Sequence, residues 1–275
     1  MISLVGTDLD GTLFNEHSQV SVANRQAIQQ MSAQGAKIAI CSGRTLPTVD
    51  ALLRDTLQVP GYRVCLNGAV VYDPNNQPLA ATPVANELLI AAFKIAQHWQ
   101  VRLCICSLDQ MLVYEPKELK TLATRDQPDG QNRQITSLTE LEQALTQPNA
   151  KFYKFTINMT HHNVLGVRQA AKAIQQLPLH FVRSGRFFYE ATAPGVDKSA
   201  GLANVAAHAN LEMADFMCFG DYENDLEMIR DVGYGVAMAN AIPSVKQVAW
   251  RETADHDRDG VAQVLQQVVA QHLAI

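Results

Sequence analysis

The sequence predicts an α/β fold, a doubly wound parallel sheet interrupted by an inserted α+β domain, on three observations. Short apolar runs rich in β-formers recur near both ends of the chain. A helical pattern follows each run, which is the rhythm of a parallel sheet covered by helices, with ligands gathered at the carboxyl ends of the strands. Between the two ends, over residues 84–186, that rhythm gives way to hairpins mixed with helices. At 275 residues the chain exceeds the usual single-domain size, which fits a core carrying a large insertion.

Residues 2–7 form the first buried strand and end against carboxylates. Ser21 can cap a helix that carries Val22, Ile28 and Met31 on one side and stops at Gly35. A strand over 37–41 and a helix from about Pro47, with Val49, Leu52 and Leu53, repeat the unit. Near the C-terminus come a strand over 216–219, a helix over 223–230, a strand over 235–238 and a helical pattern over 261–269. The insertion reads as a helix over 88–98, then a hairpin of 101–107 with 111–115 turning at Asp109 and Gln110. An alternating strand over 152–159, a helix over 164–176 and a second hairpin, 180–183 with 187–191 around Gly185, complete it. The expected domains are therefore 1–83 with 187–275, and 84–186.

Hydrophobic residues make up 47% and charged residues 18% of the chain, as in a folded globular protein. The net charge of -5, without a Lys/Arg cluster, argues against nucleic acid as a partner. No stretch has membrane-spanning length, and the N-terminus does not read as a signal peptide. Five cysteines, an odd set without a C-x-x-C pair, favour reduced thiols and a cytoplasmic setting. Cys104 and Cys106 alternate in an apolar run and read as two thiols on one strand face.

Four segments carry chemistry. In Asp8-Leu9-Asp10-Gly11-Thr12-Leu13, two carboxylates close an apolar strand and meet a glycine at once. Leaving the strand there can re-aim the second carboxylate, so that one attacks while the other moves protons. The same pattern also suits a strand-end turn with two solvated aspartates. Cys41-Ser42-Gly43-Arg44 offers a hydroxyl and a flexible backbone at a strand end, suited to phosphoryl oxygens, although Ser-Gly is equally an ordinary turn. Arg44 suits substrate or a structural ion pair. Lys198, in Gly195-Val196-Asp197-Lys198-Ser199, opens a helical pattern and could neutralise a phosphoryl group, or lie on the surface. Finally, Gly220-Asp221-Tyr222-Glu223-Asn224-Asp225 gathers three carboxylates and an amide after a buried strand, an arrangement that calls for a hard cation or a positive neighbour. Oxygen donors without a His or Cys cluster favour magnesium over zinc.

With these four segments in this order, the chain resembles the haloacid dehalogenase superfamily, and more narrowly its Cof-type phosphatases. Asn67-Gly68-Ala69, Ala239-Asn240-Ala241 and Asp259-Gly260-Val261 resemble auxiliary elements of that family, and the insertion is similar to its larger α/β cap. The resemblance implies a Rossmann-like core and a Mg²⁺-dependent phosphatase acting on a small phosphorylated metabolite through an aspartyl-phosphate. It implies Asp8 as nucleophile and metal ligand, Asp10 as general acid/base with its main-chain carbonyl on the metal, and Asp221 as third ligand, with Asp225 in support. The Leu9 and Gly43 amides, Ser42, Lys198 and Asn224 are implied to hold phosphoryl oxygens. Ser199 replaces a common glycine, and Asp255-His256-Asp257-Arg258 departs from the usual Asn-Asp-containing stretch. A phosphomutase of the same superfamily and a non-catalytic binding or regulatory protein remain alternatives. Tyr153, Lys154, Arg183, Arg186 and Tyr189 are the polar and aromatic candidates for leaving-group contacts, and Pro83 and Pro194 are the candidate hinges.

Overall fold

A computed structural model describes residues 2–116, 131–158 and 163–273. In chain order it begins with β1 (Leu4–Thr7), α1 (Val22–Ala33), β2 (Lys37–Cys41), α2 (Leu46–Ala51), β3 (Tyr62–Cys65), β4 (Val70–Tyr72) and β5 (Pro78–Ala81). The middle of the chain contributes α3 (Asn86–His98), β6 (Leu103–Cys106), β7 (Gln110–Tyr114), β8 (Gln131–Ile135), α4 (Leu138–Leu145), β9 (Lys154–Asn158), α5 (Val164–Ile174), β10 (His180–Gly185) and β11 (Phe188–Thr192). The chain then returns with α6 (Lys198–Ala209), β12 (Phe216–Gly220), α7 (Leu226–Asp231), β13 (Tyr234–Ala237), α8 (Pro243–Val248), β14 (Arg251–Glu252) and α9 (Gly260–Leu273).

One sheet runs β14-β13-β12-β1-β2-β3-β4-β5, parallel from β14 to β3 and antiparallel between β3 and β4. Its central strands are buried along their whole length because both faces are covered, which is why they read as continuous apolar runs. Leu4, Ala39, Cys41, Val64 and Cys218 pack with Leu202 and Val205 of α6, Met228 of α7 and Val245 of α8. The alternate residues Val5, Ile38 and Ile40 turn to the other face and are equally buried. There α1 packs on β2 and on α9. Ser21 caps α1 as its sequence implied, accepting from the Asn24 N–H. Strand order reverses on either side of β1, so its carboxyl end opens on the crevice where such sheets bind ligands.

The second sheet runs β10-β11-β9-β6-β7-β8, antiparallel except between β7 and β8. Leu103, Ile105, Leu112, Phe155, Ile157 and Ala191 form its core with residues of α3, α4 and α5. The expected hairpins are present as β6–β7 and β10–β11. Gln110, read as a turn residue, already belongs to β7, because it pairs with Gln131. The expected strand end at Met159 lies outside the described residues. The expected 223–230 helix starts as a 3₁₀ turn, Glu223–Asp225, before α7.

The chain divides into two compact units, 1–80 with 197–275, and 81–196. The limit read from the sequence at 186/187 falls inside the second unit's sheet. Phe188–Thr192 pairs with β10 on one side and β9 on the other, so β11 belongs with the insertion.

Candidate active site

Asp8 follows β1 directly. Thr7 lies beside Ile40 of β2 and Phe219 of β12, and the Asp8 N–H donates to the Phe219 carbonyl. The carboxylate thus stands where the three central strands end together. Lys198 opens α6, whose first turn is capped by Asp197 accepting from the Ala200 N–H at 2.7 Å. Its side chain is wholly buried, and Nζ donates to Oδ1 of Asp8 at 2.5 Å and Oδ1 of Asp225 at 2.6 Å. The surface alternative for this lysine is thereby excluded. Burial acts against its charge, yet Asp225 and Asp8 hold its pKa above the ordinary lysine range.

Past β12, Asp225 turns back on its own loop. Its Oδ2 accepts from the N–H groups of Asp221 (2.9 Å) and Tyr222 (3.2 Å). Gly220 permits this turn, since a Cβ there would lie 2.6 Å from that of Asp225. Asp221 accepts from Thr12 Oγ1 at 2.9 Å and from Asn240 Nδ2 at 3.4 Å. Gly11, at φ +85, leaves room for it, because a Cβ would lie 2.5 Å from Asp221 Oδ2.

Asp10 behaves differently. Its carboxylate lies outside the buried cluster, where Arg44 grips both oxygens, Nε to Oδ2 at 2.9 Å and Nη2 to Oδ1 at 2.7 Å. The two side chains are 37% and 56% exposed, so this fork orients Asp10 more than it stabilises the fold. Leaving the strand at Asp8 lets the second carboxylate aim elsewhere, as the spacing suggested.

Ser42 follows β2. Its Oγ accepts from the Arg44 N–H at 3.2 Å, and its carbonyl accepts from the Asn67 N–H. Asn67, buried with φ +56, in turn accepts from Asn224 Nδ2 at 3.3 Å. Ser42 and Asn224 are thus linked through Asn67. Leu9 is buried, and its carbonyl accepts from Thr12 and Phe14. Gly43 adjoins Ser42 and Arg44 in the same loop. Thr12, Asn67 and Asn240 were not read as site residues, although each stands within or beside a quoted motif.

The carboxylates of Asp8, Asp221 and Asp225 bring one oxygen each within 4.8 Å of one another. One ammonium faces these three groups, so the buried cluster has a deficit of positive charge. Burial pushes the Asp8 carboxyl well above its ordinary range; Lys198 offsets part of this, while Asp225 and Asp221 add to it. Burial, then the charge of Asp225, lifts Asp221 to about 7. An all-oxygen set with excess negative charge fits a divalent hard cation such as Mg²⁺. Asp225 has both oxygens engaged by Lys198 and two main-chain N–H groups, which suits it to orienting the cluster more than to ligation.

Fold and site together define an α/β protein with a buried all-oxygen cluster at the carboxyl ends of its central parallel strands. The model of the haloacid dehalogenase-like hydrolases matches residues 5–265, and the chain belongs to that family. It is 27% identical over 277 residues to the 5-amino-6-(5-phospho-D-ribitylamino)uracil phosphatase of Bacillus subtilis, covering 96% of this chain and 94% of that protein. It is 26% identical over 247 residues to the HMP-PP phosphatase of Yersinia pseudotuberculosis, covering 90% and 87%. A haloacid dehalogenase-like hydrolase of B. subtilis superposes with TM-score 0.82 at 22% identity, over 96% of this chain and 99% of that one, which supports the fold. The protein is accordingly a phosphatase. No helix among the described residues is long and apolar enough to cross a membrane.

Proposed function

We propose that this protein is a Mg²⁺-dependent phosphatase that hydrolyses a small phosphorylated metabolite through an aspartyl-phosphate at Asp8. The observation that carries this reading is the buried Asp8 carboxylate at the end of β1, bonded to Lys198 and two residues from a second carboxylate aimed elsewhere. An Asp8 oxygen attacks phosphorus, the ester P–O bond breaks, and Asp10 gives a proton to the departing oxygen. Water then attacks the phosphorus, Asp10 takes its proton, and the Asp8–phosphorus bond breaks to release inorganic phosphate. Arg44 occupies both Asp10 oxygens in the substrate-free protein, so this pair opens as Asp10 meets the leaving group. Lys198, Ser42, Asn224 and the Leu9 and Gly43 amides bind the phosphoryl oxygens.

Asp8, Asp221 and the Asp10 carbonyl would hold the Mg²⁺, with Asp225 in support. When bound, the metal supplies charge neutralisation for the phosphoryl group.

The relatives' substrates, a phosphoribitylamino-uracil and HMP-PP, support a small-metabolite substrate here. We assign leaving-group choice to the 81–196 unit, as its cap, with hinges near Pro83 and Pro194. Among the candidate contacts in that unit, Lys154 pairs with Glu190 at 2.7 Å, and Arg183 lies over the Tyr189 ring. Free, buried cysteines support a reducing, cytoplasmic setting.

Borohydride trapping during turnover of p-nitrophenyl phosphate with Mg²⁺ tests the mechanism. Reduction of the acyl-phosphate at Asp8, detected by mass spectrometry and absent from Asp8→Asn, is the expected result. Turnover with no modification at Asp8 refutes it.

A further inference from the structure

The turn at 255–258 is fastened to the loop that carries Asp10. His256 Nδ1 lies 2.9 Å from the Phe14 carbonyl. A carbonyl can only accept, so the ring donates through Nδ1. Two further bonds flank it. The Glu16 N–H donates to Asp257 Oδ1 at 2.8 Å, and Asn240 Nδ2 donates to the Gly11 carbonyl at 2.8 Å. Asn240 Oδ1 in turn accepts from the His256 N–H at 3.2 Å. Gly11, Phe14 and Glu16 are thus each held by a residue more than two hundred positions away.

Phe14 is the member that reaches Asp10. It forms a single β-bridge with Asp10, and its N–H donates to Leu9 at 2.8 Å. Its ring lies 5.3 Å from the guanidinium carbon of Arg44, whose Nε and Nη2 hold both oxygens of Asp10. Backbone and side chain of Asp10 therefore both rest on Phe14, and Phe14 rests on His256.

We infer that His256 is a positioning residue for Asp10, acting through the Phe14 backbone that bridges to it. This rests on the reading of Asp10 as the proton-transfer group. An exposed carboxylate just before a glycine of positive φ has little of its own to fix it, and small misplacements of a reacting group are costly in rate. The imidazole is largely buried, at 22% side-chain exposure, and makes no contact with the Asp8, Asp221 and Asp225 carboxylates. Its side chain therefore acts on the Asp10 loop and not directly on those carboxylates.

The test compares p-nitrophenyl phosphate, whose phenolate leaves readily, with phenyl phosphate, whose leaving oxygen depends more on a proton. His256→Leu is expected to lose kcat on phenyl phosphate on the order of tenfold more than on p-nitrophenyl phosphate, with KM little changed. His256→Asn, whose amide can donate from a similar place, is expected to recover most of that difference. Asp257→Ala, at an exposed site, carries the same comparison if the leucine variant fails to fold, with a smaller effect in the same direction. Equal losses on both esters, or an asparagine variant no better than leucine, overturn the inference and leave His256 a packing residue. Asp10→Asn is the control: a loss without leaving-group dependence there defeats the Asp10 reading and this inference with it. The expected dependence in Asp10→Asn, without one at His256, defeats this inference alone.

Discussion

Lys198 and Asp8 form a buried ion pair, Nζ to Oδ1 at 2.5 Å, with the lysine wholly out of solvent. Lys198→Met leaves the Asp8 and Asp225 carboxylates buried without their common counter-charge. Breaking a buried pair from one side costs about 3–5 kcal/mol, and a fall of that size in urea-unfolding stability is expected together with loss of turnover. An unchanged unfolding midpoint would show that the cluster is solvated in solution.

Asp8→Asn should abolish hydrolysis of p-nitrophenyl phosphate while leaving the circular dichroism spectrum and melting temperature close to wild type. The amide is nearly isosteric and removes a charge from a site that burial makes costly. Asp10→Asn should lower kcat by roughly 10²–10⁴-fold, the span of general acid/base catalysis. Phosphate release without an added bisphosphate, read by a molybdate assay, separates the phosphatase from a phosphomutase.

The Asp221 carboxyl, lifted to about 7, makes metal binding a competition with a proton. Apparent Mg²⁺ affinity, measured by calorimetry, should rise with pH up to about 7 and then level off. In the metal-free protein the sign for stability is the reverse of the usual carboxylate. The unfolded chain gives up this proton near about 4 and the folded one only near 7, so the native state binds more protons in between and stability falls as pH rises. The difference in melting temperature between wild type and Asp221→Asn, in chelator, should therefore shift in favour of the variant between pH 5 and pH 8. A flat difference refutes the shift.

Chelation should silence the enzyme without unfolding it, because the apolar core of each unit does not include the carboxylate cluster. Mg²⁺ should restore activity, and Zn²⁺ should not do so better. Far-ultraviolet circular dichroism before and after chelation checks the first statement, and metal titration of turnover the second.

Gly68 has φ +88, and a Cβ there would run into the Asp197 carbonyl, the residue that caps α6 and precedes Lys198. Gly68→Ala should cost at least about 2 kcal/mol through combined strain and overlap. Turnover should drop more than stability alone explains, since the backbone that must yield carries Lys198. Steady-state kinetics well below the melting temperature make that comparison.

The residues that stand at strand ends were legible in the sequence, because a short apolar strand followed by carboxylates, a hydroxyl or a glycine is a local pattern. Asp8, Ser42 and Asp221 follow β1, β2 and β12 for that reason, and Lys198 opens α6 just after its capping aspartate. The limits of the insertion were less legible. A hairpin strand does not announce which sheet it joins, and β11 was divided from its partners by a limit drawn at 186/187.

What the sequence by itself determined is the set of chemical groups and their order along an α/β chain, since hydrophobic period and turn chemistry act over a few residues. Only the tertiary structure decided their partnerships. Thr12 reaches Asp221 across 209 positions, Asn224 meets Asn67 across 157, and Arg44 closes on Asp10 across 34. Such pairs depend on strand order and register, which place β12 and β2 on either side of β1. The role of His256 belongs to this second class, because a turn near the C-terminus touches the Asp10 loop only after the sheet has brought the two ends of the chain together.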